Sequence, residues 1–244
     1  GPLFFSVLFA VMILATPVHA QVGGAIDLKI DSEAFYNGAI VPSSTWALKD
    51  LVPGTDRFFR FDDIKPGDSG TEIVSLHVAS NDAYTCMDVT NLTNDDNGLT
   101  EAETVVDANG ATQGELGEKI QMFWWGDDGD GVFESGERML SDGVITLGAF
   151  PLPHTLADSE LNGWSETPGP MAADQTHYVG INWCVGNLRE GEPVPCDGSV
   201  IGNEIQTDSA SFDMTFRAVQ ARNNPDFLCR APVGGGFSDT ETST

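Results

Sequence analysis

The stretch Ser211–Ala221, SFDMTFRAVQA, indicates the fold class of this chain. Apolar positions alternate along it with mostly polar ones, the first set being Phe212, Met214, Phe216 and Ala218 and the second Asp213, Thr215, Arg217 and Val219. Alternation with period two places one set on a buried face and leaves the other largely in water. The stretch therefore predicts a β-strand that packs one face into a core.

Short apolar or alternating runs of the same kind recur between turn signals, which favours an all-β domain. The runs predicted as further strands are Ala25–Ile30, Phe58–Phe61, Glu72–Val78, Lys119–Trp125, Gly143–Leu147 and His177–Val185. Only Asp31–Tyr36 or Leu156–Leu161 is expected to supply a short helix. The connections are unequal, and Asn91–Glu118 and Gly186–Asp208 are long and polar. Unequal connections favour a jelly-roll-like β-sandwich with long acidic loops over a simple meander.

The charge of the chain limits its partners. Its 244 residues include 37 acidic and 11 basic side chains, which gives a formal net charge of -26. Such a surface repels phosphate backbones and anionic headgroups, so nucleic acid is a poor partner, whereas divalent cations are compatible with it. The hydrophobic share of 41% is enough for a sizeable core.

The first 20 residues have the pattern of a secretory signal peptide. An apolar run from Leu3 to Ala15 precedes Val18-His19-Ala20, which resembles a signal-peptidase site. We therefore expect residues 1–20 to be removed and the mature chain to be secreted without a membrane anchor. Residues 21–232 are then the β-sandwich domain, and residues 233–244 form a glycine hinge and a C-terminal arm.

The mature part contains four cysteines, an even number that favours disulfides over free thiols in an exported chain. Three pairings are possible. The preferred one joins Cys184 to Cys196 around a loop rich in Pro and Gly, and Cys86 to Cys229, because Cys86 and Cys229 each end a candidate strand.

An acidic, glycine-rich segment follows two adjacent tryptophans in WWGDDGDGVFESGE, residues 124–137. An EF-hand loop needs oxygen ligands at positions 1, 3, 5, 7, 9 and 12 and a glycine at position 6. With Gly131 at position 6, the ligands would be Asp128, Asp130, the carbonyl of Val132, Glu134 and Glu137. Position 1 is Gly126, although Asp127 is adjacent. The flanks are strand-like, so the segment predicts a calcium-binding β-connection or, alternatively, a solvated acidic turn.

A second acidic segment, TNDDNGLTEAE over residues 93–103, repeats part of this pattern. Asp95, Asn97 and Glu101 would take positions 3, 5 and 9, but position 12 is Thr104. The alternative is again a solvated turn. If Trp124 and Trp125 end a strand, they point to opposite faces, so one is expected in the core and the other near an interface.

Catalytic patterns are scarce. His77, His154 and His177 are isolated, and the chain has neither an HExxH motif nor a G-x-S-x-G elbow. We therefore expect a protein that is not an enzyme.

Five segments together resemble the TasA/camelysin-type family of secreted biofilm matrix filament proteins. They are GAIDLKIDSEAFYNG (24–38), FFRFDDIKPGDSGTEIVSLHV (58–78), the 86–103 loop, WWGDDGDGVFESGE (124–137) and QTDSASFDMTFRAVQARNNPDFLC (206–229). The resemblance implies a jelly-roll sandwich whose subunits polymerise with copies of themselves by donor-strand exchange. The family is labelled a peptidase in places, but no catalytic constellation here supports that activity.

The position of one family segment differs in this chain. FSDTETS usually lies near the mature N-terminus in the family, whereas here it follows a glycine hinge at the C-terminus. The expected donor strand is therefore Phe237, Ser238, Asp239, Thr240, Glu241 and Thr242, although a disordered tail is the alternative. The function predicted from these features is a filament subunit stabilised by calcium. The second hypothesis is a monomeric calcium-stabilised module that binds matrix polysaccharide through Trp125, Trp164 or Trp183.

Overall fold

The structure is a computed structural model that describes residues 26–61, 63–107, 113–190 and 195–230 and the backbone of 238–243. Its strands are β1 (Asp27–Tyr36), β2 (Ala39–Ile40), β3 (Trp46–Lys49), β4 (Ser69–Ala79), β5 (Ala83–Asp95), β6 (Ile120–Asp127), β7 (Arg138–Met139), β8 (Ile145–Thr146), β9 (Pro153–Ala157), β10 (Thr176–Val185), β11 (Asn187–Leu188), β12 (Cys196–Asp197), β13 (Ser209–Gln220) and β14 (Ser238–Ser243). One short helix, α1 (Leu116–Lys119), precedes β6. Single 3-10 turns lie at Pro42–Ser44, Glu103–Val105, Leu147–Ala149, Gly198–Val200, Asn203–Ile205 and Ala221–Asn223.

The strands form an all-β sandwich, which confirms the predicted fold class. The larger sheet has the order β2-β1-β4-β10-β6-β7, with β3 also paired to β1 and β8 to β6. The smaller sheet has the order β14-β13-β5-β9, and all pairs in both sheets are antiparallel. The chain passes between the two sheets after β4, β5, β8 and β9, and again between β10 and β13 by way of the separate β11–β12 pair. The jelly-roll connectivity in particular stays a prediction.

The alternation in β13 has the predicted effect. Met214, Phe216 and Ala218 are buried, and Phe212 is half-buried at the open end of the same face. Phe216 meets Phe58 edge-on at 5.5 Å between ring centroids. The core between the sheets is therefore filled from both sides by aromatic and aliphatic side chains.

The prediction of a strand at Phe58–Phe61 is wrong, because these residues form no β-pairing. Their aromatic positions do not follow period two, so a strand would expose one of two adjacent rings. The irregular backbone instead buries Phe58 between the sheets and leaves Phe59 and Phe61 half-buried. This segment fills space in the core with aromatic side chains and does not form a strand.

The two predicted short helices are also wrong. Asp31–Tyr36 continues β1, where Ser32 and Ala34 point inward, and Leu156–Leu161 contains the end of β9 and a turn. Buried Asp158 builds that turn, since its carboxylate accepts from the backbone N–H groups of Glu160 and Leu161.

The strand β5, the longest one described, was anticipated only as a candidate strand that ends at Cys86, and its continuation to Asp95 was missed. Its first half is buried on both faces, but its end from Asn91 is polar and exposed, so the sequence resembled a connection there. The helix α1 lies in the same predicted connection, Asn91–Glu118, and extends one residue beyond it.

Both tryptophans of β6 are buried, on opposite sides of the larger sheet. Trp124 belongs to the main core, whereas Trp125 belongs to a second cluster with Phe123, Cys184 and Leu188. Gly180 lies directly opposite Trp125, and a Cβ atom there would come within 2.2 Å of the indole. The second cluster covers Trp125, so its ring is not exposed for direct contact with another chain, and its nearness to an interface stays a prediction.

The disulfides are Cys86–Cys229 and Cys184–Cys196, the pairs that the sequence favoured. Cys86, however, lies within β5 rather than at its end, and Cys229 lies in a turn rather than at the end of a strand. Two disulfides indicate an oxidising environment. Among the described residues, no helix has the length and apolar character needed to cross a membrane. The predicted signal peptide (1–20) and the predicted glycine hinge lie outside the described residues.

Candidate assembly edge and acidic loops

The C-terminal arm forms the edge strand of the smaller sheet. β14 pairs antiparallel with β13, in a register that runs from Val219 opposite Ser238 to Met214 opposite Ser243. It also lies beside β1 of the larger sheet, so it closes one side of the sandwich. Five of the six residues proposed as the donor strand, Ser238 to Thr242, therefore lie in β14, whereas Phe237 lies outside the described residues.

The root of the arm is held at Cys229 by three kinds of contact. Its sulfur is bonded to Cys86 of β5, and its backbone N–H donates to the Asp158 carboxylate at 3.2 Å. Its carbonyl accepts from Arg217 of β13 at 3.3 Å. Arg217 is fixed in turn, because its guanidinium donates twice to Asp88 at 2.9 and 3.2 Å. The residue Cys229, which precedes the glycine-rich segment and β14 in the sequence, is therefore fixed to the sandwich by a disulfide and two hydrogen bonds.

The acidic loop after Trp125 lies between β6 and β7 and is anchored by its own side chains. Phe133 packs on Trp125 with ring centroids 5.6 Å apart, and the Trp125 indole N–H donates to Asp127 at 3.1 Å. Asp127 also accepts from the backbone N–H groups of Gly129 and Gly131. The buried carboxylate of Asp127 thus organises the turn.

Asp127, Asp128 and Glu137 form the one group of three acidic side chains, within the described part of the chain, in which one carboxylate oxygen from each lies within 4.8 Å of the other two. This spread matches ligands around one Ca²⁺, whose bonds to oxygen are about 2.3–2.6 Å. The Asp128 carboxylate is exposed and has no hydrogen bond among the described residues. Glu137 accepts from the N–H groups of Asp128 and Glu134, which leaves further lone pairs on each oxygen. These residues fit a calcium ion.

The EF-hand alignment describes this site only in part. A side chain is excluded at Gly126, since a Cβ atom there would lie 2.2 Å from the carbonyl oxygen of Gly163. Asp127, one residue later, therefore joins Asp128 and Glu137. The predicted ligands Asp130 and Glu134 are exposed and lie outside the group, and Asp130 accepts from the N–H of Val132 instead.

Burial changes the ionisation of two members of this group. It raises the pKa of Asp127 above its ordinary value, although hydrogen bonds from Gly129, Gly131 and Trp125 oppose this. Burial also raises the pKa of Glu137, and the charges of Asp127 and Asp128 add to the effect. A cation between these carboxylates would favour their charged forms.

The second predicted calcium segment forms no comparable group. Asp95 and Glu101 are exposed, and the Asn97 amide donates to the Thr207 carbonyl at 2.8 Å and to the Ser209 hydroxyl at 2.9 Å. Asn97 thus ties its loop to the start of β13. Asp95, Asn97 and Glu101 are not brought together as ligands.

A carboxyl pair that the sequence did not indicate lies near this loop. The side chains of Glu115 and Asp208 share a hydrogen bond, and Asp208 also accepts from the Glu115 backbone N–H. Burial, together with the charges of Asp208, Asp107 and Asp96, raises the pKa of Glu115 to about 7. The residues of the pair are 93 positions apart, so only the fold joins them.

This pair predicts a specific pH dependence of stability. The pKa of Glu115 rises from 4.5 to about 7 in the folded chain. The contribution of protonated Glu115 to the free energy of unfolding is therefore fully present below its unfolded pKa of 4.5, and it is lost as the pH rises through the folded pKa of about 7. Glu115→Gln should unfold at the same urea concentration as the natural chain at pH 3.5, below the unfolded pKa, and at a higher one at pH 8. Urea unfolding followed by tryptophan fluorescence measures both.

Glu118→Gln is the matched control, because Glu118 is exposed on the same short helix. It should change the urea midpoint equally at the two pH values. An equal effect of Glu115→Gln at both would contradict the assigned titration.

The tryptophans considered for polysaccharide binding are largely unavailable. Trp125 is fully buried and Trp183 is 4% exposed, so neither offers a ring face to a sugar. Trp164 is half-buried, donates its indole N–H to the Tyr178 carbonyl at 2.6 Å and packs on His177. These contacts indicate an anchor of its loop.

Comparison with known proteins adds no family assignment. No family model matches the chain, and no curated protein matches it.

Proposed function

We propose that the chain is a secreted structural subunit of TasA/camelysin type that polymerises into extracellular filaments. In each contact, the C-terminal arm of one copy would pair with β13 of the next copy, as β14 pairs within one chain. The observation that carries the proposal is the antiparallel pairing of Ser238–Ser243 with Met214–Val219 at a sheet edge. The same backbone hydrogen bonds can form within a chain or between two chains.

The arrangement around Cys229 supports exchange of the arm. A disulfide, a carboxylate and a guanidinium fix the residue before the arm, and three consecutive glycines, Gly234 to Gly236, follow in the sequence. Glycine-rich segments adopt many backbone conformations at little cost. A fixed root with a permissive linker is the arrangement from which domain swapping produces polymers.

A vacated β13 edge would favour filling by another copy. Without β14, six residues of β13 would present unpaired backbone groups, and their inward side chains belong to the core. Each subunit whose arm pairs with another copy therefore has an unpaired β13 edge, with which the arm of a further copy can pair. A heterologous contact of this kind produces an open filament when its rotation does not close into a ring.

We propose further that calcium supports assembly through the group of Asp127, Asp128 and Glu137. Subunits with a net charge of -26 repel one another, and this opposes close packing. A divalent cation held by three carboxylates reduces that charge locally and fixes the β6–β7 loop.

Electron microscopy of the mature chain, residues 21–244, tests both parts of the proposal. Filaments should form and become more numerous with calcium, whereas a chain that ends at Pro232 should form none. Asp128→Asn should assemble equally with and without calcium, and Glu134→Gln should keep the calcium effect because Glu134 lies outside the group. Filaments from the shortened chain would contradict donation by the arm. Equal calcium dependence of both variants would contradict the metal assignment.

A further inference from the structure

A large cleft lies at the open end of the sandwich, between the start of β13 and the irregular segment after β3. Its volume is about 910 Å³. Its apolar wall includes Phe59, Phe61, Phe212 and Met122, and the three phenylalanines are half-buried. Clefts of roughly 300–1,000 Å³ with apolar walls and a few polar groups are typical of small-molecule sites.

The charge of this cleft is opposite to that of the rest of the chain. Three of the 11 basic residues line it, and they are Arg57, Arg60 and Lys65. Among the residues that the structure describes, the acidic ones that line it are Asp63 and Asp208, out of 37 acidic residues in the chain. Lys65 and Asp63 pair with each other at 2.6 Å. Among the described lining residues, three basic against two acidic side chains leave one positive charge in excess, and both arginines lie outside the Lys65–Asp63 pair.

Within the described part of the chain, neither guanidinium group of the cleft is engaged by another side chain. Arg57 and Arg60 are exposed, and neither has an ion pair or side-chain hydrogen bond to another described residue. A guanidinium binds a carboxylate through two parallel hydrogen bonds, and such charge-assisted bonds are about twice as strong as neutral ones. Free arginines beside an aromatic wall match a ligand with an apolar body and one anionic end.

We infer that this cleft binds a single-chain carboxylate amphiphile, a fatty acid or a related molecule, with its chain along the phenylalanine wall and its carboxylate at Arg57 and Arg60. The assignment rests on charge complementarity in a strongly acidic chain, together with the size and apolar wall of the cleft. The assignment does not rest on the proposed assembly, although the two regions adjoin at Met214, which lines the cleft and lies opposite Ser243 of β14.

Isothermal titration calorimetry with dodecanoate, on the full chain below the critical micelle concentration, tests this assignment. Dodecyl maltoside has the same chain with an uncharged head and should bind at least about tenfold more weakly, because it lacks the charge-assisted contacts. Arg57→Gln with Arg60→Gln should weaken dodecanoate binding about tenfold or more. Arg189→Gln with Arg222→Gln removes the same charge from exposed sites outside the cleft and should change it less than about twofold.

The position of the chain is tested by filling the cleft. Ala210 lines it and is half-buried, so Ala210→Trp should block the apolar part and also weaken dodecanoate binding about tenfold or more. Circular dichroism and the thermal midpoint establish that each variant is folded.

Full binding by either the double arginine variant or Ala210→Trp would overturn the assignment. So would the absence of dodecanoate binding to the natural chain. A synthetic FSDTETST peptide that binds the cleft when dodecanoate does not would replace the amphiphile with a peptide partner.

Discussion

The two disulfides should differ in their contribution to stability, and loss of Cys86–Cys229 should be the larger effect. In the chain-entropy account, closing a loop of 143 residues stabilises the fold by about 5 kcal/mol and closing one of 12 residues by about 3 kcal/mol. Cys86→Ala with Cys229→Ala should therefore lower the free energy of unfolding by about 2 kcal/mol more than Cys184→Ala with Cys196→Ala. Urea unfolding of the two double variants under identical conditions measures the difference.

The comparison is suitable because three of the four cysteines have similar surroundings. Cys86, Cys184 and Cys229 are almost completely buried, so alanine removes one well-packed sulfur atom in each case. Cys196 is half-buried, and its replacement costs less packing, which acts in the same direction as the loop term. Equal losses, or a larger loss for Cys184–Cys196, would contradict the account based on loop length.

The longer disulfide also has a structural role that its partner lacks. It joins β5 to the residue at the root of the arm, where Arg217 and Asp158 also bind. Without this disulfide, Cys229 is held only by its hydrogen bonds with Arg217 and Asp158. The position from which the arm reaches β13 then becomes less defined, so the same double variant should form filaments less regularly.

Strands were predictable from the sequence wherever one face is buried and the other is wet. β13 and β4 alternate clearly, and their predicted and observed ranges differ only at the ends. The two ends of β5 differ in burial, since Ala83–Met87 is buried on both faces and Asn91–Asp95 is largely exposed to solvent. No single period describes such a strand, and its polar end resembles a loop.

The acidic loop could be located from the sequence, but its ligands could not be assigned fully. Spacing alone placed Asp130 and Glu134 in the site and left Asp127 beside it. The structure has Asp127 in the group because Gly126 packs against Gly163, which lies 37 residues later. Tertiary contacts of this kind have no signal in the local pattern.

The remaining features depend on residues that are distant in the chain. Glu115 contacts Asp208, which lies 93 positions later in the chain. Arg57 and Arg60 suggest a binding site only because they line the same cleft as the phenylalanine wall that includes Phe212. Each residue alone is unremarkable in an acidic chain with several aromatic side chains. The members of each set come together only through the sheet order and the irregular segment around Phe58.

Cross-linking between different chains should distinguish exchange of the arm from its closure within one chain. Thr215 lies directly opposite Thr242 in the β13–β14 pair. Opposite residues in antiparallel strands have Cα atoms about 4.5–5.5 Å apart, a separation that a disulfide spans. Chains with Thr215→Cys, mixed in equal amounts with chains with Thr242→Cys, should form covalent dimers under oxidising conditions when filaments assemble. Non-reducing gel electrophoresis detects the dimers.

The design separates the two arrangements because each chain carries only one partner of the pair. The native cysteines are all paired, so the introduced thiol is the free one. Either variant alone should form few dimers. A mixture of Thr215→Cys with Ser238→Cys is the register control, since Ser238 lies opposite Val219, four residues away. That offset is about 13 Å along a strand, beyond the reach of a disulfide.

Protein concentration decides which arrangement predominates. Within one chain the short linker gives the arm a high effective concentration at its own β13, so closure is expected in dilute solution. A chain with both Thr215→Cys and Thr242→Cys should then form an internal disulfide when dilute and a ladder of covalent oligomers when filaments are present. Filaments accompanied by internal disulfides alone, with no dimers in the mixed sample, would show that the arm stays on its own subunit. The filament contact would then have to lie on another surface, and donor-strand exchange would be wrong for this chain.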